Sequence, residues 1–205
     1  EDGFGNAVNV IRTVKELEAA GVSAIEIEDN VVPKQLNVSH PGLVSTAEQV
    51  GKLKAAVAAR TDPTTVIVAR TSALAECSLD QALDRIRAYA DTGAEALMLV
   101  GVQRGRRDLE AVHRATSLPL CVLNPPADVR NDPPFLAANG VRILMLGNPI
   151  FAVAVKAIYD GLKHLQEGGV LEELRDRQAS QELLRAVNRT DEFMQQQQEY
   201  MSTST

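Results

Sequence analysis

Apolar and polar positions along the chain divide into two repeating patterns. In residues 6–20, Val10, Ile11, Val14 and Leu17 fall on one helical face, and Gly21 ends the run. Residues 23–28 (SAIEIE) read as a short strand. Ser45, with Glu48 three residues on, is a capping box; the helix it opens buries Val50, Leu53 and Val57 and runs to about Ala59. Residues 65–69 (TVIVA) are β-branched and apolar, as a strand covered on both faces should be. Ser78 with Gln81 forms a second capping box, for a helix reaching about Asp91.

The rhythm continues with a strand over 96–100 (ALMLV), a helix over 107–116 and a strand over 118–123, with Pro119 near its start, where a missing N–H is tolerated. Asp132-Pro133 is an N-cap followed by N1, opening a short helix that ends near Asn139-Gly140. Residues 141–145 form a fifth strand. Asn148-Pro149 starts a helix that is apolar through Val153, Ile158 and Leu162 and stops at Gly168-Gly169; only helical patterns follow, over about 171–188 and 191–201.

Five strands alternating with helices mean a parallel sheet covered by helices. Two architectures qualify, a TIM barrel and an open doubly wound sheet. No G-x-G-x-x-G follows a strand, and Gly3-Phe4-Gly5 lacks both the third glycine and a preceding strand. The chain begins without Met, directly before a helix. The expected fold is therefore α/β: a (β/α)8 TIM barrel lacking its first three strands in this sequence, with C-terminal extra helices. Residues 1–168 would be the C-terminal, catalytic part of that barrel, and 169–205 a helical tail for oligomer packing. An open five-stranded sheet is the alternative.

Composition narrows the partners. The chain has 205 residues, and 27 acidic against 21 basic side chains give a net charge of −6. That balance disfavours nucleic acid or an anionic membrane as partner. Aromatic residues are 3% with no Trp, so Ala, Val, Leu and Ile must fill the core. No apolar run approaches the ~20 residues of a membrane helix. Cys77 and Cys121 form no metal or redox motif. These features predict a cytoplasmic protein with no nucleic-acid or membrane partner.

In a barrel, residues just past the C-terminal ends of strands converge on the active site. Here those positions hold Glu28-Asp29, Arg70-Thr71, Asn124 and Gly147-Asn148, with Glu1 and Asp2 directly before the first helix. Carboxylates from neighbouring strands suit a hard, oxygen-loving Mg²⁺, with Mn²⁺ as a substitute. Arg70 offers a planar fork for a substrate carboxylate or phosphonate. Together they would hold a small dianion and stabilise an enolate oxygen. The competing reading is an arginine–carboxylate pair that only ties the rim together. His40, His113 and His164 read as solvated, Cys121 as a small buried hydrophobe and Cys77 as a bystander.

These residues also carry a resemblance. Gly3-Phe4-Gly5-Asn6-Ala7, Arg12-Thr13-Val14 and Leu17-Glu18-Ala19-Ala20-Gly21-Val22, then Ile27-Glu28-Asp29 with Pro33-Lys34, then Val68-Ala69-Arg70-Thr71, resemble in order the isocitrate lyase/phosphoenolpyruvate mutase superfamily. Gln49-Val50-Gly51-Lys52-Leu53 and Ala55-Ala56-Val57 resemble its oxaloacetate decarboxylase-like branch. The resemblance runs from Gly3 to about Gly168. It implies a Mg²⁺-dependent (β/α)8 barrel acting through pyruvate-like enolates. Glu1 matches the second acid of an Asp-x-Asp metal motif and Glu28 the further acidic metal-site residue. Arg70 matches the substrate-anion arginine, Lys34 the lysine opening a mobile loop, and Asn124 a pocket residue. Asn148 stands where the family's decarboxylases place a histidine.

Departures from the family pattern shape the expected activity. The loop reads Lys34-Gln35-Leu36-Asn37, without the Cys-Gly-His of the isocitrate and methylisocitrate lyases and without the mutases' Lys-Thr-Asn-Ser. The expectation is a Mg²⁺-dependent carbon–carbon lyase or decarboxylase on a small 2-oxo or 2-hydroxy dicarboxylate. The alternatives are a phosphonate mutase or hydrolase of the same superfamily, and a non-catalytic metabolite-binding descendant. Residues 31–44, which contain Pro33, Pro41 and Gly42, should act as a mobile lid that closes when a substrate anion reaches Lys34. The amphipathic tail implies a homodimer or homotetramer with exchanged C-terminal helices.

Overall fold

The computed structural model describes residues 2–33 and 42–201. It divides into two units, Glu1–Gly147 and Asn148–Thr205. The first runs α1 (Ala7–Ala19), β1 (Ala24–Glu28), α2 (Thr46–Ala59), β2 (Val66–Thr71), α3 (Ala73–Glu76), α4 (Leu79–Ala90), β3 (Ala96–Leu99), α5 (Arg106–Ala115), β4 (Leu120–Leu123), α6 (Ala127–Arg130), α7 (Pro133–Ala138) and β5 (Val141–Met145).

Side-chain caps set most helix starts. Asn6 Oδ1 accepts from Val8 N at 3.0 Å and Asn9 N at 3.4 Å, and Asp132 Oδ1 accepts from Phe135 N at 3.1 Å. Ser78 and Gln81 make both halves of the predicted capping box. The Ser45 cap is one-sided: its Oγ accepts from Glu48 N at 3.1 Å, with no return bond from the Glu48 side chain among the described residues. The single-turn helices α3 and α6 are additional to the elements the periodicity predicts.

All five strands pair in parallel, in the order β1-β2-β3-β4-β5. A doubly wound sheet reverses its order at a switch point and takes helices on both faces. Among the described residues this sheet keeps its order without reversal, and the helices of the first unit that pack on it join a single cluster. Val10 and Val14 of α1, Leu53 and Ala56 of α2, Ile86 and Tyr89 of α4, and Leu109 and Val112 of α5 form one buried cluster with Ile25, Ile27, Ile67, Ala69, Leu97, Leu99, Leu120 and Val122. Strand side chains alternate between faces. The other face therefore carries Val68, Ala96 and Met98, with Val66, Cys121 and Leu123 packed against them. Every residue of that second cluster comes from a strand.

The polar share of the α2 contact differs from the expected stripe. Leu53 is buried, but Gln49 and Lys52 are buried beside it, while Val50 and Val57 are only partly so. Both polar side chains serve β1: Gln49 Nε2 donates to the Ile27 carbonyl at 2.9 Å and Lys52 Nζ to the Glu28 carbonyl at 3.5 Å.

The second unit comprises α8 (Pro149–Gln166), a 3-10 helix (Leu171–Arg177), α9 (Gln181–Val187) and α10 (Thr190–Met201). The unit boundary follows Gly147, ahead of the expected division near 168, and α8 contains no buried residue. The single helix expected over 171–188 is broken, because Ser180 Oγ accepts from Leu183 N at 3.1 Å and starts a new one. Among the described residues, no helix is long and apolar enough to cross a membrane.

Leu97 sits fully buried in the helix-covered core. Leu97→Ala should cost about 2–5 kcal/mol, since the cavity adds to the lost transfer energy. Urea unfolding should show a lower midpoint at an unchanged slope.

Candidate active site

The alternation within β1 and β2 assembles the site. Ile25 and Ile27 enter the helix-covered core, which leaves Glu26 and Glu28 on the opposite face. Ile67 and Ala69 do the same for β2 and leave Val68 and Arg70 there. The register places Glu28 beside Arg70 and Glu26 beside Val68. Three charged side chains thus meet at the C-terminal ends of two adjacent strands. Arg70 Nη1 lies 2.6 Å from Glu26 Oε1, and Arg70 Nε lies 2.9 Å from Glu28 Oε2.

This geometry revises the expected open fork. Two of the three guanidinium nitrogens already face carboxylates. Nη2 alone makes no hydrogen bond or ion pair among the described residues, so it is the nitrogen left for a ligand. Glu26 was not among the expected site residues. The cue lay in its spacing, two residues before Glu28 on a strand, where a carboxylate otherwise disfavours β structure.

Glu28 offers carboxylate oxygen, the ligand type that hard divalent cations take. Glu28 is engaged through Oε2, by Arg70 and by Asn30 Nδ2 at 3.3 Å. Its Oε1 makes no hydrogen bond or ion pair among the described residues, and the side chain keeps 18% of its surface exposed. Glu26, Arg70 and Glu28 carry −1, +1 and −1, a sum of −1. An anionic ligand approaching these three groups is repelled unless positive charge accompanies it. Carboxylate oxygen is the ligand type Mg²⁺ prefers. Among the described residues, no group of three or more His, Cys, Asp or Glu forms a metal cluster. Glu1 and Lys34 lie outside the described residues.

Asn124 sits just past β4 with φ +47°, a left-handed conformation uncommon away from glycine. Its backbone N donates to the Met145 carbonyl at 2.9 Å, and its Oδ1 accepts from Gly147 N at 2.6 Å. Asn124 therefore joins the ends of β4 and β5. A Cβ on Gly147 would fall 2.5 Å from Asn124 Nδ2, so this approach needs the glycine. Asn148 belongs to the second unit, where it precedes α8 without a side-chain capping bond.

Asp29, the residue after Glu28, is fully buried. Its Oδ2 accepts from Thr71 Oγ1 at 2.7 Å and from Tyr89 Oη at 2.8 Å, and lies 3.6 Å from Arg85 Nη1. Its Oδ1 accepts from Ser72 N at 3.4 Å. Burial pushes this carboxyl above its ordinary value, against the lowering effect of Thr71, Tyr89 and Arg85. Burial, then the charge of Asp29, pushes the Tyr89 phenol upward. The same group of residues clasps the base of the loop. Val44 N donates to the Asp29 carbonyl at 2.8 Å, Val31 N to the Gly42 carbonyl at 3.0 Å, and Arg85 Nη1 to the Val44 carbonyl at 2.9 Å.

Comparison with known proteins gives concordant likenesses. A family model described as phosphoenolpyruvate phosphomutase matches residues 1–166. The chain is 44% identical over 189 residues to an oxaloacetate decarboxylase of Rhodopseudomonas palustris, covering 92% of this chain and 64% of the relative. It thus spans a little under two thirds of that relative's length. Among solved structures, a phosphoenolpyruvate phosphomutase from Streptomyces platensis subsp. rosaceus superposes with a TM-score of 0.80 at 28% identity, over 98% of this chain and 71% of the other. A phosphonopyruvate hydrolase in complex with oxalate and Mg²⁺ gives 0.76 at 31% identity, over 98% and 70%.

Tyr89→Phe should cost about 1–3 kcal/mol at neutral pH, because it removes one donor from a buried carboxylate. The cost has a definite pH dependence. Asp29 has a raised folded value, so its contribution is most favourable below the ordinary carboxylate value and declines as pH rises through the raised one. Losing a donor to the ionised form raises that value further. The stability gap between wild type and variant, read by urea unfolding, should therefore be wider at about pH 8 than at about pH 5.

Proposed function

Since this chain is a member of the phosphoenolpyruvate phosphomutase family, we propose that it is a Mg²⁺-dependent carbon–carbon lyase or decarboxylase. Its substrate would be a small 2-oxo or 2-hydroxy dicarboxylate, oxaloacetate-like or alkylmalate-like, cleaved through a pyruvate-type enolate. The observation that carries this reading is the Glu26–Arg70–Glu28 triad at adjacent strand ends. The strand order and one-sided helix cover support a sheet that is an arc of a (β/α)8 barrel, whose C-terminal rim carries such sites.

In this reading Arg70 Nη2 holds one carboxylate oxygen of the substrate while Glu26 and Glu28 fix the guanidinium. Glu28 Oε1, with Glu1, would hold the divalent cation, directly or through water. When bound, Mg²⁺ or Mn²⁺ supplies positive charge next to the developing enolate oxygen. Asn124, held to Gly147, would line the substrate pocket, while Asn148 and Lys34 would take the roles that the resemblance gives their sequence positions. For an oxaloacetate-like substrate, loss of CO₂ leaves the pyruvate enolate, and a proton delivered to its carbon completes pyruvate; for an alkylmalate, a base would take the 2-hydroxyl proton, C2–C3 cleavage would give pyruvate directly as the ketone, and the carbanion left on C3 of the other fragment would take the proton. The 44% identity to an oxaloacetate decarboxylase supports this substrate class.

The second unit supports assembly. Ile150, Phe151, Val153, Ile158 and Leu162 on α8 are all more than half exposed. A second copy covering this stripe would give the homodimer or homotetramer that the resemblance implies.

Four outcomes test these proposals. Pyruvate release from a panel of oxaloacetate and alkylmalates should require Mg²⁺ or Mn²⁺ and stop with chelator; turnover indifferent to EDTA sinks the metal assignment. Glu28→Gln should raise the Mg²⁺ needed for half-maximal rate by about 10-fold or more, on the scale of altered metal-site partners. Arg70→Lys should lower kcat/KM by about 10-fold or more, since an ammonium cannot span two glutamates and a ligand in one plane and the group is only partly buried. Sedimentation of the intact chain at micromolar concentration should show a species larger than the monomer.

A further inference from the structure

Glu26 is out of place by every local criterion. It stands on a strand, where glutamate is disfavoured. It lies two residues, about 7 Å, back from the strand end that carries Glu28. Its cross-strand partner is Val68, and the face around it is built from Val66, Val68, Ala96, Met98, Cys121 and Leu123. Packing alone would favour a β-branched apolar residue there. What the position provides is a carboxylate below the rim, reaching up to Arg70 Nη1 at 2.6 Å.

A guanidinium has three nitrogens in one plane. Glu26 accepts a hydrogen bond from Nη1 from beneath, while Glu28 Oε2 forms an ion pair with Nε at 2.9 Å, without hydrogen-bond alignment, from the level of the strand end. The Glu26 bond opposes rotation about Nε–Cζ, which would exchange Nη1 and Nη2, and so keeps Nη2 as the open nitrogen. Glu28 alone leaves the group free to swing about a single contact. We propose that Glu26 is a positioning residue for Arg70: it selects Nη2 as the donor offered to the substrate carboxylate and so sets where that carboxylate is held. This rests on the function proposed above for Arg70, but the arrangement itself can be measured without turnover.

The test pairs an activity-independent readout with a kinetic cycle. In the full chain labelled with ¹⁵N-arginine, a guanidinium fixed at two nitrogens should give separate, slowly exchanging Nη signals for Arg70, assigned with Arg70→Lys. In Glu26→Ala these should merge, while the urea midpoint moves little. Kinetically, Glu26→Ala should raise KM and the inhibition constant for oxalate by about 10-fold or more, with a smaller change in kcat. Glu26→Gln, which keeps an acceptor oxygen for Nη1, should fall between. In the Arg70→Lys background, Glu26→Ala should add little, because the two residues act as one unit. Unchanged Nη signals in Glu26→Ala overturn the proposal, as does a loss that is fully additive with Arg70→Lys, or a glutamine variant as poor as alanine. Merged signals in a protein whose wild type turns over no substrate leave the positioning of Arg70 standing and sink the enzyme reading instead.

Discussion

A single buried carboxylate holds the site together. Asp29 immediately follows Glu28, and the donors it collects come from Thr71, the residue after Arg70, and from Tyr89 on α4. The ends of β1 and β2 are thereby cross-linked beyond their backbone ladder, one residue on from Glu28 and Arg70. Burying a carboxylate is costly unless donors compensate it. Here two hydroxyls, a backbone N–H and a nearby guanidinium do so, and burial still leaves the carboxyl raised. That residual cost is why no member of the group can be lost cheaply. The group also ties the described residues on either side of residues 34–41 to the strand ends, since Arg85 serves both Asp29 and the carbonyl of Val44.

The electrostatics of the rim follow a different logic. Three side chains summing to −1 would be a poor receptor for a dianion by themselves. The arginine is not a free cation awaiting a ligand but a fixed donor whose charge is already balanced. Under the proposed function, affinity for an anionic substrate would then depend on a companion cation, and selectivity on the geometry of the nitrogen that stays open. Such division between charge and placement is what pre-organised sites use to avoid reorganising during reaction.

Much of this was legible in the chain because it is local. The Ser78–Gln81 box, the Asp132-Pro133 helix start and the five strands depend on residues within a few positions of each other. Glu28 and Arg70 were readable because both sit at the ends of apolar strands. Other features depend on distance. Asp29 finds partners 42 and 60 residues away, a relation that spacing alone does not encode. Gln49 and Lys52 interrupt an apolar stripe because their targets are carbonyls of β1, which only the fold brings near. The four-residue helices α3 and α6 are too short to show a period. The break at Ser180 separates two segments whose apolar positions continue across it.

The composition gives one of these contacts an optical consequence. The chain has no tryptophan and three tyrosines. Tyr159 and Tyr200 are exposed, whereas Tyr89 is wholly buried with its hydroxyl on the Asp29 carboxylate. Near-ultraviolet ellipticity from an ordered tyrosine should then arise mainly at this one ring. The chain carries its own chromophore beside the site, and loosening there should be visible in the aromatic spectrum while the helical signal, fed by both units, still stands.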